Sequence, residues 1–144
     1  MSKTGTVQKL FISVKDKKRE SKDILELDEN GVCGDKFYGK NSSRAILLTS
    51  LDSYKIAKEN GVEADFSSLG ENILLDLNPY SLTIGDKISI GDVILEITHN
   101  CTLCKSLAKV DDRLPEILKN DRGIFAKTLK SGIVKIGDKV IIEN

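Results

Sequence analysis

The strongest constraint on the fold is a turn-and-strand unit that recurs along the chain. Residues 83–90 read Thr-Ile-Gly-Asp-Lys-Ile-Ser-Ile, and residues 135–142 read Lys-Ile-Gly-Asp-Lys-Val-Ile-Ile. A third Gly-Asp pair precedes the apolar residues 93–97. Glycine tolerates a positive φ, and aspartate can accept a hydrogen bond from nearby backbone. The pair therefore predicts short strands that each begin at a tight turn.

Further strands are predicted where apolar and β-branched residues cluster or alternate between turn residues. With the repeated units they give about eight short strands; the additional ones cover residues 6–14, 24–27, 45–49, 72–77, 124–129 and 133–136. This spacing favours a mainly β fold, a closed or nearly closed β-barrel rather than a sandwich. The chain shows neither the βαβ alternation of a parallel sheet nor a glycine-rich phosphate-binding loop. Because no linker interrupts the pattern, residues 1–144 are predicted to form one domain.

One or two peripheral helices are expected beside the barrel. The first covers residues 50–60, where Ser50 can cap the helix, Asp52 favours its first turn and Gly61 ends it. The second lies within residues 111–120, with Pro115 in its first turn. The strongly charged residues 15–23 are predicted to form a solvated loop or hairpin tip.

Composition argues against several classes of protein. Lys plus Arg and Asp plus Glu both number 22, so no basic excess favours a nucleic-acid partner. No apolar run approaches the ~20 residues of a membrane-spanning helix, and the N-terminus lacks the apolar stretch of a secretory signal. We therefore expect a cytoplasmic protein. Three cysteines, an odd number, do not suggest a disulfide framework in such a chain.

The main chemical candidate is the segment at residues 98–105, Thr-His-Asn-Cys-Thr-Leu-Cys-Lys, which follows a predicted strand. A cysteine acts as nucleophile or metal ligand in its thiolate form, which nearby cationic groups favour. His99, the only histidine, lies two residues before Cys101, and Lys105 adjoins Cys104.

Four interpretations of this cysteine pair compete. A structural zinc site needs more ligands than one pair offers, so no zinc is expected. A thioredoxin-type dithiol needs a βαβ context that the pattern lacks. A single reactive thiolate that carries sulfur or binds a soft metal is favoured. Two cysteines that only pack in a strand-to-loop corner remain open as the alternative.

Candidate ligand-binding residues lie elsewhere in the chain. Arg44 and Arg122 each stand beside a predicted strand, and an arginine can present a planar charged fork to phosphate or carboxylate. A solvated surface charge is the alternative for either one. Cys33, between glycines in Gly31-Val-Cys-Gly34, is expected to be a packing residue.

The order of several short motifs resembles the MOSC domains, named after the C-terminal region of molybdenum cofactor sulfurases. The resemblance extends over residues 6–142. It is carried by Gly-Val-Cys-Gly-Asp at 31–35, Arg-Ala-Ile-Leu-Leu at 44–48, Gly-Glu-Asn-Ile at 70–73, the Ile-Gly-Asp units, the cysteine segment, and Arg-Gly-Ile-Phe-Ala at 122–126.

Membership of this family would imply a β-barrel-rich fold with a reactive cysteine near the end of a barrel strand. By the resemblance, Cys104 is the first choice for the catalytic and metal-contacting position, and Cys101 is the alternative. Arg44, Asn72 and Arg122 match polar motif positions that would face the same pocket, and His99 is added as a cofactor-binding candidate. The two arginines would hold an anionic group such as the phosphate of a pterin cofactor.

The chain also departs from the family pattern. Phe37 occupies a place where many members have histidine, so any role of that histidine is lost. The pyridoxal-dependent desulfurase domain that accompanies some members is missing. The chain therefore has no Schiff-base machinery of its own to extract sulfur from cysteine.

The resulting hypothesis is a molybdenum-cofactor-associated domain that carries or transfers sulfur through a cysteine thiolate or persulfide. Its expected partners are a cysteine desulfurase or a molybdenum cofactor enzyme. The alternative is a non-catalytic module that binds a metal-pterin or a partner protein. Whether the chain is an enzyme, such as a sulfur transferase or an oxidoreductase component, is left open by the sequence.

Overall fold

The computed structural model describes residues 2–14, 18–40, 44–100, 111–118 and 122–143. In chain order the described elements are β1 (Ser2–Val14), β2 (Lys18–Lys22), β3 (Ile24–Asp28), β4 (Gly31–Val32), β5 (Ile46–Ser50), α1 (Leu51–Glu59), β6 (Ile73–Leu75), β7 (Lys87–Ile90), β8 (Val93–Asn100), α2 (Leu114–Ile117), β9 (Ile124–Lys130), β10 (Gly132–Lys135) and β11 (Lys139–Glu143).

Seven strands close into a barrel, which confirms the predicted fold class. Their order is β11-β7-β8-β9-β5-β6-β1, and pairing of β1 with β11 completes the ring. β1 is long enough to pair with β11, then with β6 through a register shift, and finally with β2 at its C-terminal end. A separate three-stranded sheet has the order β10-β3-β4.

One connection differs from the sequence-based picture. β5 and β6 pair in parallel, while the other neighbouring strands of the barrel pair antiparallel within the described residues. Parallel neighbours need a crossover connection, and α1 lies in the segment that links these two strands. A single βαβ unit therefore sits within a barrel whose sequence shows no βαβ alternation.

The barrel interior is filled by apolar side chains that alternate along the strands. Fully buried examples are Leu10, Ile46, Leu48, Ile73, Leu75, Ile88, Ile90, Leu95, Ile97 and Ile124. A second apolar cluster lies between the two helices and the outside of β6. It contains Tyr54, Ala57, Val62, Leu69, Leu74, Leu114 and Leu118.

The predicted Gly-Asp turns are confirmed. Gly85 and Gly137 have φ of +94° and +90°. The Asp86 carboxylate accepts a hydrogen bond from the Thr83 amide, and Asp138 accepts one from the Lys135 amide, both at 2.8 Å. The repeated motif thus makes the same strand entry twice.

The helices also form where they are predicted. Ser50 caps α1, its side chain accepting a bond from the Asp52 amide at 3.1 Å. α2 is a single short turn that contains Pro115. Neither described helix has the length and apolar character that a bilayer crossing requires.

Residues 15–23 were interpreted as a solvated loop or hairpin tip, and residues 18–22 instead form a strand that pairs antiparallel with the preceding one. This strand, β2, pairs with β1 from Leu10↔Lys22 to Val14↔Lys18. The charges favour solvent, but backbone pairing with the extended end of β1 orders the segment. One of its charged residues, Arg19, is partly buried.

Candidate functional site

The end of β8 carries the only predicted site residue of that strand, His99. A register shift at Thr98 separates the pair Ile97↔Ala126 from the pair His99↔Phe125. Ile97 and Ala126 belong to the barrel interior. Because neighbouring residues of β9 face opposite sides of the sheet, Phe125 faces outward, and the half-buried His99 lies beside it.

The cysteine segment continues from this strand end. Asn100, the last residue of β8, pairs with Ile124. Cys101 follows Asn100 directly in the sequence, but Cys101 and Cys104 lie outside the described residues. Their predicted catalytic and metal-binding roles therefore stay predictions.

Arg44 lies over the same aromatic ring. Its guanidinium carbon is 5.9 Å from the centroid of Phe125, and its side chain is exposed. Phe125 also pairs with Leu47 of β5 on its other side. Leu47, Phe125 and His99 thus form a row across three strands on the outside of the barrel, with Arg44 above its centre. We call Leu47, Phe125, His99 and Arg44 the outer row.

Asn72 reaches this row through the backbone of Leu47. Its side-chain Oδ1 accepts a hydrogen bond from the Leu47 main-chain amide at 3.0 Å, and its main-chain amide donates one to the Leu47 carbonyl at 2.9 Å. Its Nδ2 donates to the Phe11 carbonyl at 3.2 Å and to the Asp35 carboxylate at 3.4 Å. The buried side chain therefore links β5 to β1 at the start of β6, and both hydrogens of its side-chain amide are used in hydrogen bonds.

Glu71, which the sequence singles out only as part of the Gly-Glu-Asn-Ile motif, is completely buried. One carboxylate oxygen accepts a bond from Thr49 at 2.9 Å and another from the Tyr54 hydroxyl. Tyr54 in turn accepts a bond from the Ser67 amide at 3.1 Å. Burial, and then the charge of Glu71, raises the pKa of Tyr54, so its hydroxyl remains a donor.

A guanidinium covers the backbone of the same turn. Arg19 of β2 donates to the hydroxyl of Ser13 at 2.5 Å and to the main-chain carbonyl of Glu71. It also lies 5.9 Å from the ring centroid of Phe11. Burial lowers the pKa of Arg19, while the charges of Glu71 and Asp35 oppose this effect.

Asp35 completes the network around this arginine. One oxygen accepts a bond from the Ser13 amide at 2.7 Å, and the other accepts from the Phe37 amide at 3.0 Å. In the described part of the chain, Glu71 Oε1 and Arg19 Nε are buried polar atoms that have no hydrogen-bond partner. From the sequence, Arg19 belongs to a strongly charged stretch and Glu71 to the Gly-Glu-Asn-Ile motif, and neither side chain was assigned a role.

The structure joins Arg122 to the helical layer. Its guanidinium donates to the main-chain carbonyl of Pro115, with Nε at 3.2 Å. The next residue, Gly123, lies directly against Leu47, since a Cβ built on it would be 2.9 Å from a Leu47 methyl. Arg44 and His99 are thus grouped through Phe125, while Arg122 connects the edge of the outer row to α2.

The outer row suits a planar anion better than a metal ion. Arg44 offers a permanent cation beside an aromatic ring, a combination that can hold a phosphate or carboxylate and stack on a planar group. Among the residues that the structure describes, no three His, Cys, Asp or Glu side chains converge as metal ligands. Any metal contact by Cys104 concerns residues beyond the described part.

The model of the MOSC domain matches residues 34–141. The YuaD protein from Bacillus subtilis has a similar fold, with a TM-score of 0.86, 20% identity, and coverage of 99% of this chain and 97% of that one. No curated protein matches the chain.

Two YiiM structures are also similar. YiiM from Escherichia coli gives a TM-score of 0.69 at 18% identity, covering 96% of this chain and 70% of that one. YiiM from Geobacillus stearothermophilus gives 0.67 at 14% identity, covering 97% and 73%. At these identities the likeness shows a shared fold.

Proposed function

Because the chain belongs to the MOSC domain family, a family associated with the molybdenum cofactor, we propose that it carries sulfur for such a centre through the thiolate of Cys104. The family model covers about three quarters of the chain. The family assignment supports the link to the cofactor, whereas the sulfur-carrier mechanism is our own inference from the residues.

The observation that carries the proposal is the outer row at the end of β8. His99 and Phe125 are cross-strand neighbours, Arg44 lies over the ring, and the cysteine segment begins two residues after His99. An imidazole can take up a proton near neutral pH, and thiolate formation needs such an acceptor. We assign this role to His99.

Loading of the carrier needs no external oxidant. The thiolate of Cys104 attacks the outer sulfur of a persulfide on a donor protein, which we propose to be a cysteine desulfurase. The donor's sulfur–sulfur bond breaks as a new one forms on Cys104, and the donor cysteine leaves as thiolate. In the absence of an acceptor, attack by Cys101 on the inner sulfur would release hydrosulfide and leave a disulfide.

The cofactor itself fits the described residues only in part. Arg44 would hold its phosphate, and Phe125 would contact the planar pterin. When bound, the cofactor would supply the molybdenum centre that receives the sulfur. The side chain of Asn72 braces the barrel and has both amide hydrogens in use, so we assign it the support of Leu47 beneath the row.

A binding module without thiol chemistry is the second candidate. It is favoured by the internal bonding of Asn72 and by a cation–aromatic pair that can bind an anion with no cysteine involved. Thiol reactivity distinguishes the two functions. A low-pKa exposed thiol is alkylated rapidly at pH 6–7, whereas a buried structural thiol reacts slowly.

The test is sulfur loading followed by intact-protein mass spectrometry. The purified chain is incubated with a cysteine desulfurase and cysteine, and we expect a mass increase of one sulfur atom that reducing agent removes. Cys104→Ser should abolish it, while Cys33→Ser, the matched control, should retain it. Retention in Cys104→Ser with loss in Cys101→Ser would move the role to Cys101, and no uptake by the unaltered chain would refute the carrier function.

A further inference from the structure

The small sheet β10-β3-β4 has one face in the protein core and one in solvent. Val134 pairs with Leu25, and both are buried. The alternate pairs, Ile133 with Glu26 and Lys135 with Ile24, lie on the opposite face and are exposed. We call Ile24, Glu26, Ile133 and Lys135 the outer sheet face.

This face is unusually apolar for a solvent-exposed sheet. Ile24 is 52% exposed and Ile133 is 47% exposed. Their diagonal positions on adjacent strands place their side chains within reach of each other, roughly 7–8 Å apart by strand geometry. Single exposed apolar residues are ordinary, but neighbouring ones on the same sheet face favour an interaction surface.

The charges on the face are arranged in a self-complementary way. Each of the two cross-strand pairs contains one isoleucine and one charged residue, Glu26 in the first pair and Lys135 in the second. The two isoleucines lie on one diagonal of the face and the two charged residues on the other. A twofold axis that lies in the interface along the isoleucine diagonal would bring Glu26 of one copy opposite Lys135 of the other and would put isoleucine against isoleucine. The formal net charge of the chain is zero, so two copies have little overall repulsion.

The open edge of β10 is less suited to association than the face. The Ile136 amide donates to the Asp23 carbonyl at 3.2 Å, so the amides of Ile133 and Lys135 point to the other side of the strand. There the Lys135 amide is already bonded to the Asp138 carboxylate at 2.8 Å. This bond blocks one end of the edge and leaves face-to-face packing as the favoured geometry.

We propose that the outer sheet face is a homodimer interface, in which Glu26 of each copy pairs with Lys135 of its partner around a centre of Ile24 and Ile133. The occupant is thus a second copy of this chain. The face carries none of the residues assigned to sulfur transfer, so this proposal and the proposed function can fail separately.

Analytical ultracentrifugation of the full chain tests the proposal. At micromolar concentration we expect a species of twice the 15.8 kDa chain mass. Ile133→Glu puts a charge at the centre of the interface and should raise the dimer dissociation constant roughly 30-fold or more, as loss of a central contact does. Ile84→Glu is the matched control, because Ile84 is 75% exposed outside the face and should leave the dimer intact.

A charge reversal distinguishes a second copy from an unrelated partner. Lys135→Glu alone should weaken the dimer, and the double variant Glu26→Lys with Lys135→Glu should restore it, since each pair is then re-formed with its signs exchanged. Circular dichroism confirms that each variant is folded. A monomeric unaltered chain at 100-fold higher concentration, a dimer insensitive to Ile133→Glu, or a double variant that stays as weak as Lys135→Glu would each overturn the proposal.

Discussion

Removing one hydroxyl tests whether the buried network around Glu71 stabilises the fold. Tyr54→Phe keeps the ring and its edge-to-face contact with Phe66, whose centroid is 5.0 Å away. It deletes the hydrogen bond donated to the Glu71 carboxylate and the acceptor of the Ser67 amide. Glu71 is fully buried and would retain Thr49 on the same oxygen.

The expected loss follows from these two bonds. A hydrogen bond to a charged group contributes about 1.5–3 kcal/mol and a neutral one about 0.5–1.5 kcal/mol. The free energy of unfolding should therefore fall by about 2–4 kcal/mol. For a domain of this size that corresponds to a decrease in Tm of roughly 10 °C.

The pH dependence has a definite sign. The pKa of Tyr54 is raised above the ordinary value of 10.0, so the folded state keeps its proton where the unfolded state loses it. The stability contributed by this group is present below pH 10 and declines as the pH rises above that value. Tyr54→Phe should therefore show a weaker decline between about pH 10 and 11 than the unaltered chain.

Denaturant unfolding followed by far-ultraviolet circular dichroism measures both effects. The matched control is Tyr38→Phe, since Tyr38 also donates to a carboxylate, that of Asp28 at 2.5 Å, but on the exposed surface. Its free energy of unfolding should change little, because solvent replaces the lost bond. Equal losses in the two variants, or no loss in Tyr54→Phe, would refute the argument that burial makes the Glu71 network stabilising.

Two further predictions concern separate features. Gly123→Ala should cost about 3 kcal/mol, because φ is +139° and the new Cβ would lie 2.9 Å from a methyl of the buried Leu47 and 3.3 Å from the Leu48 carbonyl oxygen. Gly137→Ala, with φ of +90° and open space, should cost only about 1 kcal/mol for backbone strain. Denaturant midpoints compare the two variants, and equal costs would contradict the packing argument. Burial, with the charge of Asp28, raises the pKa of the Cys33 thiol, so its alkylation at pH 7.5 should be slow. Asp28→Asn should lower the pKa of Cys33 and speed its alkylation several-fold. Peptide mass spectrometry in dilute solution follows Cys33 alone, and an unchanged rate would exclude an electrostatic role for Asp28.

Much of the architecture followed from local patterns. The Gly-Asp units predicted two strand entries that the structure reproduces with the same hydrogen bond, and the Ser50 cap set the start of α1. Element boundaries and the strand count were less well predicted, since β1 begins at Ser2 and β2 was not anticipated. The pairing that orders β2 depends on β1, which no local window of sequence contains.

The candidate site was predicted in part. Arg44 and His99 were selected from the sequence, and the structure brings them together through Phe125. Phe125 itself was assigned no role from the sequence, where it lies within a predicted strand. Asn72 was also selected, but its bonds to the backbone of β5 and β1 give it a bracing position that a short motif cannot reveal.

Most strands and turns could be predicted from the sequence, because alternation, glycine φ and aspartate capping act over a few neighbouring residues. Which charged groups leave the solvent depends instead on contacts between segments that are far apart in the chain. Arg19 and Glu71 are 52 positions apart, and each looks like a surface charge in its own segment. They become neighbours because β1 pairs with both β2 and β6, which leaves Glu71 fully buried and Arg19 partly buried. Burial is thus a property of distant residues that meet rather than of either residue alone.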